Sequence, residues 1–188
     1  MASYETALAH IDQPRQKKNA KIELRELKGL GALTLRLDSR DAQLTSACAK
    51  AGHPLPERLM TRGAINDTLA CWISPDEFLL LFANANRRDS AYSALCKALT
   101  GSYFALVDNS GAYVYLLLSG KERLMALRKL CSYNLEGNFP PGKLVATLLA
   151  KAPIMLVDLN DSQVLLIARN SFADYIYRAL THAMEEFI

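Results

Sequence analysis

The sequence lacks most of the residue patterns that mark an active site. Its three histidines, His10, His53 and His182, are far apart, and none has cysteine or carboxylate neighbours at metal-ligand spacing. The four cysteines contain no Cys-x-x-Cys pair, which disfavours a zinc or redox motif and predicts buried thiols in a reducing compartment. No nucleophile has a general base beside it. We therefore expect no catalytic residue, no metal ligand and no cofactor-binding residue in this chain.

An excess of charge and long apolar runs are also missing. The 22 basic and 19 acidic residues give a net charge of +3, which is no basis for a nucleic-acid partner. No run approaches the ~20 apolar residues of a membrane helix. The opening residues, MASYETALAHIDQPRQKK, have no apolar core of the kind found in secretory signals. A cytoplasmic protein without a membrane partner is expected.

Two glycine-containing segments look like nucleotide-binding loops but depart from them. The spacing from Gly137 to Gly142-Lys143 fits a phosphate-binding loop, yet Leu144 stands where a hydroxyl residue is needed. Pro140-Pro141 within it also lacks the amide N–H groups that would bind phosphate. The segment Gly29-Leu30-Gly31 precedes a strand pattern rather than a helix, which indicates a turn.

What is present is a clear alternation of strand and helix patterns, most regular at residues 139–187. There, three runs rich in Val, Leu and Ile precede an amphipathic helix. Ser171 is the expected N-cap of this helix, with Asp174 three residues later. Its apolar positions are expected to form one buried face, made of Phe172, Tyr175, Ile176, Ala179, Leu180, Ala183, Met184 and Phe187.

The order of the elements predicts an α+β fold. Residues 32–107 give the order β-α-β-β-α-β, which is the split β-α-β or ferredoxin-like arrangement, and residues 112–187 give β-α-β-β-β-α. We predict an N-terminal arm at residues 1–21 and a single domain at 22–188. That domain is expected to contain two ferredoxin-like lobes, at about 22–107 and 108–188, packed as one unit because no flexible linker separates them.

Three aromatic residues are candidates for a partner interface. Trp72, the only tryptophan, lies just before a hairpin turn and suits either an interface anchor or core packing. Tyr113 and Tyr115 alternate along one strand, so they share a face. Either that face is exposed and binds a partner, or it lies under a helix of the second lobe.

Several segments, in the same order along nearly the whole chain, resemble the gamma subunits of heterotetrameric sarcosine oxidase. They are Ala7-Leu8-Ala9-His10, Ile22–Leu35, Trp72-x-x-Pro75-Asp76-Glu77-x-Leu79-Leu80, Val107-Asp108, Leu118-Ser119-Gly120, Phe139-Pro140-Pro141-Gly142, Thr147-Leu148-Leu149-Ala150 and Arg169-x-Ser171-Phe172-Ala173-Asp174-Tyr175. The resemblance implies a fold related to the folate-binding domain of aminomethyltransferase.

The resemblance also implies a role without chemistry of its own. The complex demethylates sarcosine oxidatively to glycine, and the implied partners are its alpha, beta and delta subunits. FAD, FMN, NAD, tetrahydrofolate and zinc are implied for those partners. The alternatives are a free-standing folate-binding or folate-dependent one-carbon transfer protein, with Asp108 as its candidate carboxylate, and an oligomeric scaffold.

Overall fold

The computed structural model describes residues 6–11, 21–58, 60–65 and 68–187. The chain divides into two compact units. Residues 29–110 form one unit, and residues up to 28 together with residues 111–188 form the other. Each unit is built on a five-stranded antiparallel sheet, so the predicted α+β class is confirmed.

Ten strands and four helices lie in the described residues. In chain order they are β1 (Ile22–Glu26), β2 (Gly31–Arg36), α1 (Ala42–Lys50), β3 (Arg62–Ile65), β4 (Thr68–Ser74), β5 (Glu77–Phe82), α2 (Ala85–Ala98), β6 (Ala105–Asp108), β7 (Tyr113–Gly120), α3 (Arg123–Arg128), β8 (Leu144–Leu149), β9 (Ala152–Asn160), β10 (Gln163–Arg169) and α4 (Ala173–Met184).

The sheet of unit 29–110 has the order β3-β4-β5-β2-β6. Strands β2 and β4 both run antiparallel to β5, so they are parallel to each other and are split by β5. In the same way, β5 and β6 are parallel and split by β2. Helices α1 and α2 make these two crossovers, which is the ferredoxin-like arrangement predicted for residues 32–107.

The sheet of the other unit has the order β1-β7-β10-β9-β8. Strand β1 pairs antiparallel with β7, with Leu24 opposite Leu118. It therefore takes the place of the fourth ferredoxin-like strand, since no strand follows α4 in the residues described up to 187. Residues 22–28 thus belong to the unit of the second sheet, whereas the sequence order predicted them at the start of the first lobe. Strand β1 lies only a few residues before β2 in the sequence, and for this reason we expected the two strands to belong to the same lobe.

Each sheet is covered on one face by helices. In the unit of β7, Val114, Leu116 and Leu118 pack with Ile176 and Leu180 of α4 in one apolar cluster. In unit 29–110, Leu33 and Leu35 of β2 pack with Ala91, Leu95 and Leu99 of the α2 segment. Residues alternate along a strand, so the side chains between these point to the helix-free face of each sheet.

The sequence predicts helix starts at Asp38 or Ser39, at Asp89 or Ser90, and at Ser171, and all three were wrong. Helix α1 is capped by Asp41, whose Oδ1 accepts from the Gln43 amide at 2.8 Å, rather than by Asp38 or Ser39. Helix α2 begins one turn earlier than expected, with Asn84 as its N-cap instead of Asp89 or Ser90. A short 3-10 turn precedes α4, and Ser171 lies inside this turn instead of capping the helix.

The early 3-10 turn also changes which residues α4 buries. Ile176, Leu180 and Met184 are buried as predicted, whereas Phe172 and Tyr175 are 37% and 49% exposed. Phe172 precedes the helix proper and Tyr175 falls on its outer side. Strand β3 was not predicted, because its four residues have no alternating apolar pattern.

Candidate partner interface

Trp72 lies at the boundary between core and surface. Its indole ring stacks on Phe78 with centroids 5.2 Å apart, and its Nε1–H donates to the Ser74 carbonyl oxygen at 2.7 Å. The side chain packs against the core cluster of its unit but is only partly buried. One part of the ring is therefore core, as the packing interpretation expects, and another part stays open to a partner.

A groove of about 480 Å³ runs beside this indole ring. One wall is the outer side of α1, where Ala42, Ser46 and Ala49 are small and exposed. The other wall is the segment Pro54–Glu57, and Trp72 with Phe78 completes the lining. Sequence reasoning missed this groove, although the two prolines directly after α1 are a signal for a stiff chain segment at that place.

Tyr113 and Tyr115 lie together on the helix-free face of their sheet, with ring centroids 6.4 Å apart. Val114, between them, points into the helix-covered core, so the tyrosines do not lie under a helix. Tyr115 is only 4% exposed and offers little surface. Tyr113 is partly exposed, and the Arg169 guanidinium lies 5.4 Å from its ring centroid, where a cation–π contact is favourable.

A second apolar surface, not predicted from the sequence, lies near the turn between β8 and β9. Leu148 is 54% exposed, and Tyr175 of α4 donates its hydroxyl hydrogen to the Ala150 carbonyl oxygen. Ala150 and Lys151 both have positive φ, as a two-residue hairpin turn of this hand requires. This exposed leucine and tyrosine add to the apolar surface that a partner could cover.

A third apolar surface lies along strand β6 in unit 29–110. Tyr103, just before the strand, is 98% exposed, and Val107 within it is 52% exposed. The strand is at one edge of its sheet. Large exposed side chains beside an unpaired strand edge are unusual in a solitary protein, because such edges promote association.

A cavity of about 470 Å³ lies beside His53 and has a mainly apolar lining that includes Leu55, Ala70 and Leu80. Burial lowers the pKa of His53, so the ring is held neutral at pH 7. The ring meets Phe82 edge-on at 5.8 Å. These contacts are those of a packed histidine rather than of a general base with a nucleophile in reach.

Asp108, the candidate carboxylate of the folate alternative, is already engaged by its own unit. Its Oδ1 accepts from the Ser110 hydroxyl at 2.6 Å and from the Ser110 amide at 3.0 Å, and its Oδ2 lies 2.9 Å from Arg88 Nη1. Burial acts to raise the pKa of Asp108, but the hydrogen bonds from Ser110 and the charge of Arg88 outweigh it and lower that pKa. The carboxylate serves the turn after β6.

Cys48 is buried in the apolar cluster of unit 29–110. Burial raises the pKa of the Cys48 thiol to about 11, so its reactive thiolate is scarce at neutral pH. Among residues 6–11, 21–58, 60–65 and 68–187, no cluster of three His, Cys, Asp or Glu side chains could hold a metal ion. None of the helices described is both long and apolar enough to span a membrane.

Similarity to known proteins covers nearly the whole chain. Sarcosine oxidase subunit gamma from Arthrobacter sp. is 29% identical over 168 residues, which is 88% of this chain and 81% of that protein. The solved heterotetrameric sarcosine oxidase from Corynebacterium sp. U-96, in complex with pyrrole 2-carboxylate, contains a chain that matches at a TM-score of 0.86. That match is 25% identical and covers 98% of this chain and 96% of that one.

A more distant likeness concerns the fold alone. Aminomethyltransferase T of the glycine cleavage system from Bartonella henselae matches at a TM-score of 0.64 and 12% identity, over 86% of this chain and 45% of that one. The expected relation to the aminomethyltransferase fold is therefore confirmed. Residues 36–186 match the profile of the sarcosine oxidase, gamma subunit family. The chain belongs to the gamma subunit family of sarcosine oxidase.

Proposed function

We propose that this chain is the gamma subunit of a heterotetrameric complex of the sarcosine oxidase type and carries no catalytic site of its own. The observation that carries the proposal is the match, over 98% of this chain and at a TM-score of 0.86, to a chain of a solved heterotetrameric sarcosine oxidase. A fold shared over nearly the whole chain supports a place in the same kind of assembly, because the arrangement of strands and helices sets which surfaces can meet a partner.

The apolar surfaces support a role in assembly. Val107 and Leu148 are more than half exposed, and Trp72 and Tyr113 are partly exposed. Exposed apolar side chains of this size gain most when a partner removes them from water. We propose Trp72 and Tyr113 as contacts to a larger subunit. Tyr115 is not proposed as a contact, since it is buried within its own unit.

Membership of the family supports a proposal for the partners and cofactors. The proposed partners are the alpha, beta and delta subunits of the complex. FAD, FMN, NAD, tetrahydrofolate and zinc are proposed to belong to those subunits, which would perform the oxidative demethylation of sarcosine to glycine. The proposed location is the cytoplasm. Residues 22–188 are proposed to act as one accessory domain behind an arm at residues 1–21.

A free-standing folate-binding protein is the weaker proposal. Its support is the aminomethyltransferase fold, and its difficulty is Asp108, whose two oxygens are held by Ser110 and Arg88. Calorimetric titration with tetrahydrofolate separates the proposals. We expect no heat of binding to the isolated chain at millimolar ligand, and saturable binding would favour the folate alternative.

Co-expression tests the accessory role directly. This chain, carrying an affinity tag, is produced together with the alpha, beta and delta subunits and purified through the tag. We expect the other three polypeptides and flavin absorbance to co-elute in fixed ratio, and sarcosine-dependent peroxide formation only in that fraction. Elution of the tagged chain alone, or turnover of sarcosine by the isolated chain, would refute the proposal.

A further inference from the structure

The outer edge of strand β6 has free backbone hydrogen-bonding groups whose direction can be derived. The Asn109 amide donates to the Ala32 carbonyl oxygen at 2.9 Å, so Ala32 faces β6. The Leu37 amide donates to the Asp76 carbonyl oxygen at 3.0 Å, so Leu37 faces the opposite side, towards β5. Even-numbered residues of β2 therefore bond to β6, and odd-numbered residues bond to β5.

This alternation decides which groups of β6 point outwards. Thr34 and Val107 are register partners, and by the alternation they exchange backbone hydrogen bonds. Leu33 and Asp108 face each other without such bonds, as do Leu35 and Leu106. The N–H and C=O groups of Leu106 and Asp108 consequently point away from β2. Among the described residues, no strand pairs with that side of β6.

Both edge strands of the other sheet, β1 and β8, are protected, whereas β6 is not. Strand β1 carries Glu23 and Arg25. The end of β8 is covered by the bridge between Leu149 and Cys131. Strand β6 itself, Ala-Leu-Val-Asp, has no lysine, proline or bulge, which are the usual devices against strand pairing. Its one charged side chain, Asp108, is held by Ser110 and Arg88.

We propose that the outer edge of β6 binds an extended strand of a larger partner subunit by β-strand addition. The incoming strand pairs with the backbone of Leu106 and Asp108, and its side chains contact Val107 and Tyr103 on the exposed surface. This inference rests on the proposed function, because it assigns one surface through which the accessory subunit would be held in its complex.

A second copy of this chain is a less suitable partner for the edge of β6, because two paired β6 strands would bury too little surface. Strand β6 has only four residues. Pairing two such strands buries far less than the about 1,200 Å² of surface that a stable interface between two proteins needs. A strand from a larger polypeptide can make further contacts outside β6, and it does not depend on this short edge alone.

Hydrogen exchange at single-residue resolution tests the backbone pairing. In the free chain we expect the Val107 amide to be protected, since it bonds to β2, and the Leu106 and Asp108 amides to exchange quickly. In the co-expressed complex we expect the Leu106 and Asp108 amides to become at least about tenfold slower, as paired strand amides do. Unchanged exchange at both residues in the assembled complex would overturn the proposal.

A charge placed on the edge provides a second test. Val107→Lys leaves the fold intact because the side chain is half exposed, and it should lower co-purification of the alpha, beta and delta subunits at least about tenfold. Met125→Lys on α3, where Met125 is 50% exposed, is the matched control and should assemble normally. Both variants are first checked for an unchanged unfolding midpoint.

The outcomes distinguish the two proposals. If the wild-type chain fails to co-purify with the other subunits, the accessory function itself is wrong. If the wild type assembles and Val107→Lys assembles equally well, the accessory function stands and strand addition at β6 is refuted.

Discussion

The guanidinium group of Arg88 lies 2.9 Å from the carboxylate of Asp108, so helix α2 is joined to the end of strand β6. The same guanidinium donates to the Ser110 hydroxyl at 2.9 Å, and that hydroxyl accepts from the Ala32 amide at 3.0 Å. A single side chain thereby connects α2, β2 and the turn after β6. The edge proposed to bind a partner strand is held in place by this network.

Removing this guanidinium should destabilise unit 29–110. For Arg88→Ala we expect the free energy of unfolding to fall by about 1 kcal/mol, the upper end for ion pairs near the surface, because Asp108 is half exposed. Urea unfolding measures the change. Arg40→Ala is the control, because the Arg40 side chain is 88% exposed in its pair with Asp38, compared with 18% for Arg88, and should leave the midpoint nearly unchanged. Equal effects of both variants would contradict the structural role of Arg88.

Gly120, at the end of β7, should not tolerate a side chain. Its φ is +111°, and a Cβ there would lie 2.2 Å from the Lys21 carbonyl oxygen. We expect Gly120→Ala to lower the free energy of unfolding by at least about 2 kcal/mol through backbone strain and overlap with β1. Gly111→Ala is the matched control, since nothing lies within 4 Å of its Cβ position. A stable Gly120→Ala variant would show that β1 is placed differently.

His53 should make the stability of the chain depend on pH. Burial lowers its pKa from the usual 6.5, so below that pH the unfolded chain binds more protons at this residue than the folded chain does. Stability should therefore fall as the pH drops from about 7 to 5. His53→Gln should reduce this slope in urea unfolding. An unaltered slope in His53→Gln would contradict the burial of the ring.

Cysteine alkylation should follow burial. Cys96 is partly exposed, whereas Cys48 is buried and its pKa is raised to about 11. With iodoacetamide at pH 8 we expect Cys96 to react first and Cys48 only after unfolding, as followed by peptide mass spectrometry. Cys96→Ser provides the control, since it should remove the fast phase. Early alkylation of Cys48 in the folded protein would contradict its burial in the apolar cluster of unit 29–110.

Trp72 should contribute to both packing and assembly. Trp72→Phe retains a ring that can stack on Phe78, so we expect a small loss of stability, whereas Trp72→Ala should lose about 2 kcal/mol. Trp72→Phe should also lower co-purification with the partner subunits, because the exposed part of the indole is gone. Tyr92→Phe, at a 41% exposed tyrosine on α2, is the control. If Trp72→Phe assembles normally with the partner subunits, Trp72 contributes to packing on Phe78 and not to the interface.

Local patterns predicted most elements but not all of their ends. The strand patterns of β2, β5, β7 and β10 were clear because their apolar residues are continuous or alternate. The start of α2 was missed because Asn84, Asn86 and two arginines dilute the apolar pattern of its first turn. The position of β1 could not be predicted, because pairing with β7 is a long-range contact that leaves no local signal.

The candidate interface was harder to predict than the fold. Tyr113 and Tyr115 were correctly placed on one face, since alternation along a strand is local. How much of each ring stays exposed depends on the rest of the molecule, and Tyr115 proved to be buried. The edge at β6 was not found, because an unpaired edge is a property of strand order rather than of the strand's own residues.

The pairing of β1 with β7 has a consequence for biosynthesis. The ribosome synthesises the N-terminal end of a chain first. Strand β1 is therefore made before residues 29–110, and β7 is made after them. Unit 29–110 can fold while β1 is still unpaired, because its partner strand β7 has not yet been synthesised. Mutations that weaken β7 should therefore leave β1 unpaired and open to proteases, although the two strands are far apart in sequence.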